Sequence, residues 1–259
     1  MFDLQDRVAL VTGAGRGIGK TTARVLAERG MLVGVNDYDA ASAANTAHEL
    51  RAAGLRALAL PADVSSKAEV AEMVGRAEAE LGPLWLLVNN AGVHNTAPTA
   101  ELSEEAWDRA MDVDAKGVFL CCQAAIRAMI PRQAGRIVNV SSIAGFIVRT
   151  NQVAYCAAKA AVIHFTRCLA VEMAPHHITV NCLCPGMTST EMLLGIAAQR
   201  NLDLEGMIAL IPAGKMASEE DHAYLIAYYA SDEAAHVNGQ VVSVDGAQSL
   251  FHPLTAVRI

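Results

Sequence analysis

The chain has 259 residues, of which 53% are hydrophobic and 18% charged, and its formal net charge is −7. That balance describes a well-cored globular protein and excludes a disordered one. It also argues against a nucleic-acid binder, which needs surplus Lys and Arg to displace counterions from phosphates.

A single α/β domain spanning 1–259 is expected at this length. It can bury enough surface to fold without disulfide or metal staples. The opening segment MFDLQDRVAL lacks a basic stretch followed by a long apolar one, so a cytoplasmic protein is expected. The six cysteines, at 121, 122, 156, 168, 182 and 184, are read as free thiols. Cys182 and Cys184 sit in an expected strand, where alternate residues are taken to face opposite sides, so they are read as buried hydrophobes and not zinc ligands. No uninterrupted apolar run approaches 18 residues and no lipidation motif occurs, so no membrane association is expected.

In chain order, short apolar runs alternate with longer Ala-rich segments. The expected strands are 8–12, 31–36, 55–61, 84–88, 136–140, 179–183 and 241–244. They are nearly continuous in apolar residues, the pattern of strands buried on both faces. The expected helices are 18–29, 40–53, 67–81, 103–129, 153–173 and 219–230. Residues 112–117 are poor helix formers, so 103–129 is expected to break in two. Strands alternating with helices mean a parallel sheet covered on both sides. Two stretches depart from the rhythm: a polar loop at 93–102 and a long segment at 186–218. Connections as long as the second work as lids or binding loops. Both follow carboxyl ends of strands, the edge where open α/β sheets bind ligands.

The first strand runs into Thr12-Gly13-Ala14-Gly15-Arg16-Gly17-Ile18-Gly19, and a helix follows. Glycines there permit tight turns and let backbone N–H groups approach a diphosphate, helped by the partial positive charge of the helix N-terminus. Asp37 ends the second strand, 18 residues beyond Gly19. Its carboxylate suits the hydroxyls of an adenosine ribose and repels a 2′-phosphate. Tyr38 follows where a basic residue would favour NADP. NAD is therefore expected over NADP, with Arg16 the dissenting residue.

These motifs resemble the short-chain dehydrogenase/reductase family over about residues 5–249. The glycine spacing at 12–19 matches, as does Asp63-Val64 after the third strand. Asn89-Asn90-Ala91-Gly92 follows the fourth strand, and Tyr155-x-x-x-Lys159 lies on a helix. Asn181, Pro185-Gly186 and the late Gly239-Gln240…Val244-Asp245-Gly246 complete the pattern. The resemblance implies a single-domain Rossmann-type α/β fold, a doubly wound seven-stranded parallel sheet flanked by helices on both faces. It places Asp63 and Val64 at the adenine, Asn90, Ala91 and Gly92 along the cofactor, and Thr188 and Thr190 near the nicotinamide amide. Tyr155, Lys159, Pro185 and Gly186 are also expected against the cofactor.

The implied chemistry is hydride transfer between a secondary alcohol and a ketone. Tyr155 is the expected general acid/base, and Ser142, in preference to Ser141, holds the substrate oxygen. Lys159, four residues from Tyr155 and on the same helix face, holds the ribose and favours phenolate. One residue departs from the pattern. Asp114 stands in Val113-Asp114-Ala115-Lys116-Gly117 where the family usually has Asn. An anion there raises the pKa of Lys159, and an alkaline-shifted pH optimum is expected.

The substrate crevice is expected to be lined by His94, Ser142, Ala144, Arg149, Gln152, Tyr155, Met187 and Met192, beneath an apolar lid within 186–218. Arg149 could clamp a carboxylate or phosphate. The expected substrate is a polyol, hydroxysteroid or cyclic alcohol. A homotetramer is implied by the resemblance, with the tail 250–259 docking on a neighbouring subunit. Two alternatives are an NADP-dependent 3-oxoacyl-carrier-protein reductase and a catalytically silent dinucleotide-binding protein.

Overall fold

In the computed structural model the described residues are 3–190, 193, 197 and 203–250. The apolar runs form seven strands: β1 (Val8–Val11), β2 (Leu32–Val35), β3 (Ala57–Ala59), β4 (Leu84–Asn89), β5 (Gly135–Val140), β6 (Ile178–Pro185) and β7 (Val241–Val244). They make one parallel sheet in the order β3-β2-β1-β4-β5-β6-β7. The helices are α1 (Gly17–Glu28), α2 (Ala40–Ala52), α3 (Lys67–Leu81), α4 (Glu104–Ala110), α5 (Gly117–Met129), α6 (Val153–Met173), α7 (Leu204–Ile208) and α8 (Glu219–Ala230).

Both faces of the sheet are covered, which is why the strands are apolar without alternation. On one face, Val70 and Met73 of α3, Cys121 of α5 and Val162 of α6 pack on Leu10, Leu87 and Ile137. On the other, Leu26 of α1, Ala47 of α2 and Ile226 of α8 pack on Val33, Leu86 and Val138. Truncating a fully buried strand leucine such as Leu10 or Leu86 to alanine costs about 2–5 kcal/mol.

Helix starts follow local chemistry. Asp39, Ser66 and Ser103 cap α2, α3 and α4 through side-chain oxygens. Ser218 and Asp221 form a reciprocal capping box on α8. By contrast, α1 begins after Arg16 with no side-chain cap, so its first N–H groups stay available to a ligand.

The structure corrects several expectations. Strand residues two apart share a face, since the side-chain period is two. Cys182 and Cys184 accordingly point the same way, with sulfurs 3.9 Å apart. The helix 103–129 does not break. A π-helical turn, Met111–Lys116, joins α4 to α5, and the extra residue per turn absorbs the poor helix formers. The long segment 186–218 contains α7, capped by Asp203, a helix whose bounds its sequence did not announce. Finally, Val153–His176 is 24 residues with a mean hydropathy of 1.2, long and apolar enough to cross a membrane. Its apolar residues Val162, Ile163, Leu169 and Met173 belong to the core cluster beside the sheet.

Candidate active site

The strand order reverses between β1 and β4, and the helices that follow them, α1 and α5, cover opposite faces of the sheet, the arrangement at whose carboxyl edge open α/β sheets bind ligands. The glycine loop leaves β1. Gly13 and Gly17 have φ values of +61° and +58°, in the left-handed region that favours glycine. A Cβ on Gly19 would strike the Gly13 carbonyl oxygen and the Asn90 amide. Ile18 and Gly19 open α1, and Arg16 is exposed at its start. An uncapped helix N-terminus behind tightly turned glycines fits a diphosphate, so these residues fit a dinucleotide cofactor.

Asp37 is buried at the end of β2, and its Oδ2 accepts the Gly15 N–H at 3.1 Å while Oδ1 accepts from Asp39 at 3.1 Å. The carboxylate thus shapes the glycine loop by holding the Gly15 N–H. Asp63 binds the N–H and hydroxyl of Ser65 at 2.9 and 2.7 Å and pairs with Arg109 at 3.3 Å. Burial pushes its pKa up, but these bonds hold it below the usual carboxylate range. Val64 is buried against Gly117.

The segment after β4 is tied to the end of β1. Asn90 Nδ2 donates to the carbonyls of Thr12 and Gly13, both at 3.0 Å, and the Ala91 N–H donates to Thr12 Oγ1 at 3.1 Å. Gly92 has no room for a side chain. A Cβ there would lie 3.0 Å from Asp114 Oδ1 and 3.3 Å from Lys159 Nζ.

That close approach marks the charged centre of the site. Lys159 is buried, and its Nζ donates to the Val140 carbonyl at 3.3 Å. The same Nζ lies 5.6 Å from the Tyr155 ring centre. Asp114, on the π-helical turn, is fully buried; Oδ1 accepts the Val93 N–H at 2.7 Å and Oδ2 has no hydrogen-bond partner. Burial raises the Asp114 carboxyl above its ordinary pKa, opposed by the Lys159 ammonium and the Val93 N–H. Burial works against the charge of Lys159, but Asp114 and then Tyr155 outweigh it and hold the ammonium above its ordinary pKa.

The two serines after β5 separate cleanly. Ser141 is buried and donates to the Lys159 carbonyl at 2.8 Å. Ser142 is half-buried, and its Oγ accepts from Ala144 N–H at 3.1 Å, which leaves its hydroxyl proton for another partner. Tyr155 is half-buried in the first turn of α6, and His94 meets its ring edge-on at 4.9 Å. The loops bearing His94 and Arg149 are joined by a bond from Ala97 N–H to the Asn151 carbonyl at 2.9 Å.

The remaining expected residues sort by environment. Ala144 is 2% exposed and presents little surface to a crevice. Gln152 begins α6 without a side-chain cap bond. Arg149 is half-withdrawn from solvent, and its buried Nε has no partner. Pro185 ends β6, and Gly186 packs so closely on Asp245 that a Cβ would lie 2.5 Å from the Asp245 Cβ. The Met187 N–H donates to Gln248 at 3.0 Å. Thr188 is buried and bonded to His222, and Thr190 Oγ1 accepts from Leu193 N–H at 3.2 Å. In the lid segment Ile211 is buried under Gly246 and Leu210 is exposed. Met192, Leu194, Ile196 and the tail 251–259 lie outside the described residues.

Two features escaped the sequence reading. A buried polar chain runs from Asn89 to Asn139 at 2.8 Å and on to Thr166 at 2.9 Å, tying β4 and β5 to α6 beneath the site. An asparagine inside the apolar run of β5 was its one visible signal. The Thr188–His222 pair is the second.

A family model described as short chain dehydrogenase matches residues 7–201. The chain is 44% identical to cis-4-hydroxycyclohexanecarboxylate dehydrogenase of Sinomonas cyclohexanicum, over 93% of this chain and 96% of that one. It is 38% identical to a 3-oxoacyl-[acyl-carrier-protein] reductase of Synechocystis, covering 97% and 100%. Among solved structures it resembles gluconate 5-dehydrogenase from Burkholderia cenocepacia in complex with NADP and tartrate, with a TM-score of 0.91, 34% identity and coverage of 97% and 98%. The chain belongs to the short-chain dehydrogenase family and is an oxidoreductase acting on CH–OH groups.

Proposed function

We propose that this protein interconverts a secondary alcohol and a ketone with NAD(H), and that its substrate carries a carboxylate. The observation that carries the reading is the convergence of Tyr155, Lys159 and Asp114 next to the carboxyl end of β5, whose carbonyl at Val140 Lys159 bonds and from which Ser142 follows. A bound nicotinamide supplies the hydride acceptor for oxidation and the hydride donor for reduction. The chain's own residues manage the proton. Ser142 offers its hydroxyl proton to the substrate oxygen, and Tyr155 takes the alcohol proton or returns it. The Lys159 ammonium stabilises the phenolate through its charge.

Asp37 supports NAD, since its buried carboxylate stands where a 2′-phosphate would be repelled. Arg149 supports the carboxylate. It is half-buried, its Nε is buried without a partner, and no acidic residue pairs with it among the described residues, so an anionic substrate group would satisfy it. The relative named for a hydroxycyclohexanecarboxylate and the neighbour solved with tartrate supply the same chemistry. A second reading, an NADP-dependent 3-oxoacyl-carrier-protein reductase, draws on the Synechocystis relative and on exposed Arg16.

A homotetramer, which the family resemblance implies, is read out by mass in solution. The functional test is a panel of cyclic and linear secondary alcohols, each with and without a carboxylate, assayed with NAD and NADP. Oxidation of carboxylate-bearing members with NAD, lost in Tyr155→Phe while NADH still binds, supports the reading. Turnover confined to acyl carrier-protein thioesters with NADPH contradicts it.

A further inference from the structure

The first turn of α8 buries an ionisable ring that hydride transfer does not use. His222 is fully buried, and its Nε2 lies 2.8 Å from Thr188 Oγ1. Burial lowers its pKa to about 4, with Asp221 opposing, so the ring is neutral at working pH. Its other nitrogen, Nδ1, is buried with no hydrogen-bond partner.

Thr188 is itself closely held. It bridges to Ala217, whose N–H donates to the Met187 carbonyl at 3.0 Å and whose carbonyl accepts from Ser189 at 2.9 Å. The Thr188 hydroxyl donates to the Gly186 carbonyl at 3.1 Å. A hydroxyl has one proton and two lone pairs. Once that proton is on Gly186, the contact with His222 needs the ring as donor. The ring is therefore the Nε2–H tautomer, with a bare Nδ1. This agrees with the burial pattern, since an unsatisfied buried acceptor is tolerated more readily than an unsatisfied N–H.

We infer that His222 is a positioning residue for the cofactor: by donating to Thr188 it leaves one directed lone pair on that hydroxyl to accept the carboxamide N–H of a nicotinamide. The inference rests on the dinucleotide reading above and adds a residue to it. His222 touches neither cofactor nor substrate. It fixes which way Thr188 can bond, and so rewards the nicotinamide half of the ligand and not the adenosine half.

ADP-ribose lacks the nicotinamide and separates the two halves. Kd values for NADH and ADP-ribose are measured on wild type, His222→Leu, His222→Gln and Thr188→Val, with thermal melts to confirm folding. His222→Leu is expected to weaken NADH about tenfold, the scale of one hydrogen bond, and leave ADP-ribose within about twofold. His222→Gln, which can still donate, recovers most of the loss, and Thr188→Val reproduces it should His222→Leu fail to fold. Imidazole ¹⁵N–¹H spectra of wild type should show the Nε2–H tautomer at neutral pH. Equal weakening of both ligands, no weakening of either, or an Nδ1–H tautomer would overturn the inference alone. A wild type that binds neither ligand overturns the cofactor reading as well.

Discussion

Replacing Asp114 with asparagine removes one negative charge from the buried centre and changes little else. The amide oxygen can keep the 2.7 Å bond from Val93 N–H. The geometry around Gly92 places Asp114 Oδ1 and Lys159 Nζ within about 6.3 Å of each other. At an effective dielectric constant of about 20, charges at that separation attract by about 2–3 kcal/mol. Losing that attraction removes support for the charged form, so Asp114→Asn should lower the pKa of Lys159. The direction follows from the present balance, in which Asp114 outweighs burial in keeping Lys159 charged. The assay is kcat/KM for alcohol oxidation against pH. Its alkaline limb, where Lys159 loses its proton, should move to lower pH in Asp114→Asn. The wild type should stay active at the higher pH. Superimposable profiles would refute the reasoning, because a buried carboxylate this close cannot be electrostatically silent.

Other outcomes follow from the same geometry. Arg149→Leu should raise KM for carboxylate-bearing alcohols about 10- to 100-fold, the worth of a charge-assisted hydrogen bond, and leave neutral alcohols unchanged; steady-state kinetics on matched pairs decide it. His222 makes stability fall on acidification. Its folded pKa of about 4 lies below its unfolded value of 6.5, so the unfolded chain binds more protons between those pH values. Wild type should lose about 3 kcal/mol across that window through this residue, and denaturant titrations of His222→Leu should show a shallower slope there. Gly19→Ala forces a methyl group onto the Gly13 carbonyl and the Asn90 amide. It should cost about 1–3 kcal/mol of stability and weaken NADH binding more than tenfold; retention of both would mean that the loop adapts freely.

Much of this architecture can be read from residue patterns, and the exceptions have physical reasons. The apolar runs mark strands well because both faces are covered. Helix boundaries are sharpest where a cap residue announces them, as at Ser66 and Ser218. The third strand is only Ala57–Ala59, although backbone bonds to the β2 side continue past it, from Leu60 N–H to the Val35 carbonyl at 2.9 Å. The π-helical turn is invisible to composition, since it changes hydrogen-bond register and not residue type. The Cys182–Cys184 error was one of period, corrected by counting two residues per strand repeat.

At the site, the glycine loop and the Tyr155–Lys159 pair carry their own local spacing. The Asn89–Asn139–Thr166 chain and the Thr188–His222 bond join segments far apart in sequence, and no local spacing encodes them. Ser141 spends its proton on the Lys159 carbonyl, whereas the Ser142 hydroxyl only accepts, from Ala144 N–H.

The central claim is an NAD-linked dehydrogenase whose cofactor is selected by Asp37. It is tested most directly by paired fluorescence titrations of the purified protein with NADH and NADPH. The account predicts NADH binding at least tenfold tighter, with the preference narrowed in Asp37→Ser. Tighter binding of NADPH by the wild type would contradict it and make Arg16, rather than Asp37, the residue that reads the ribose.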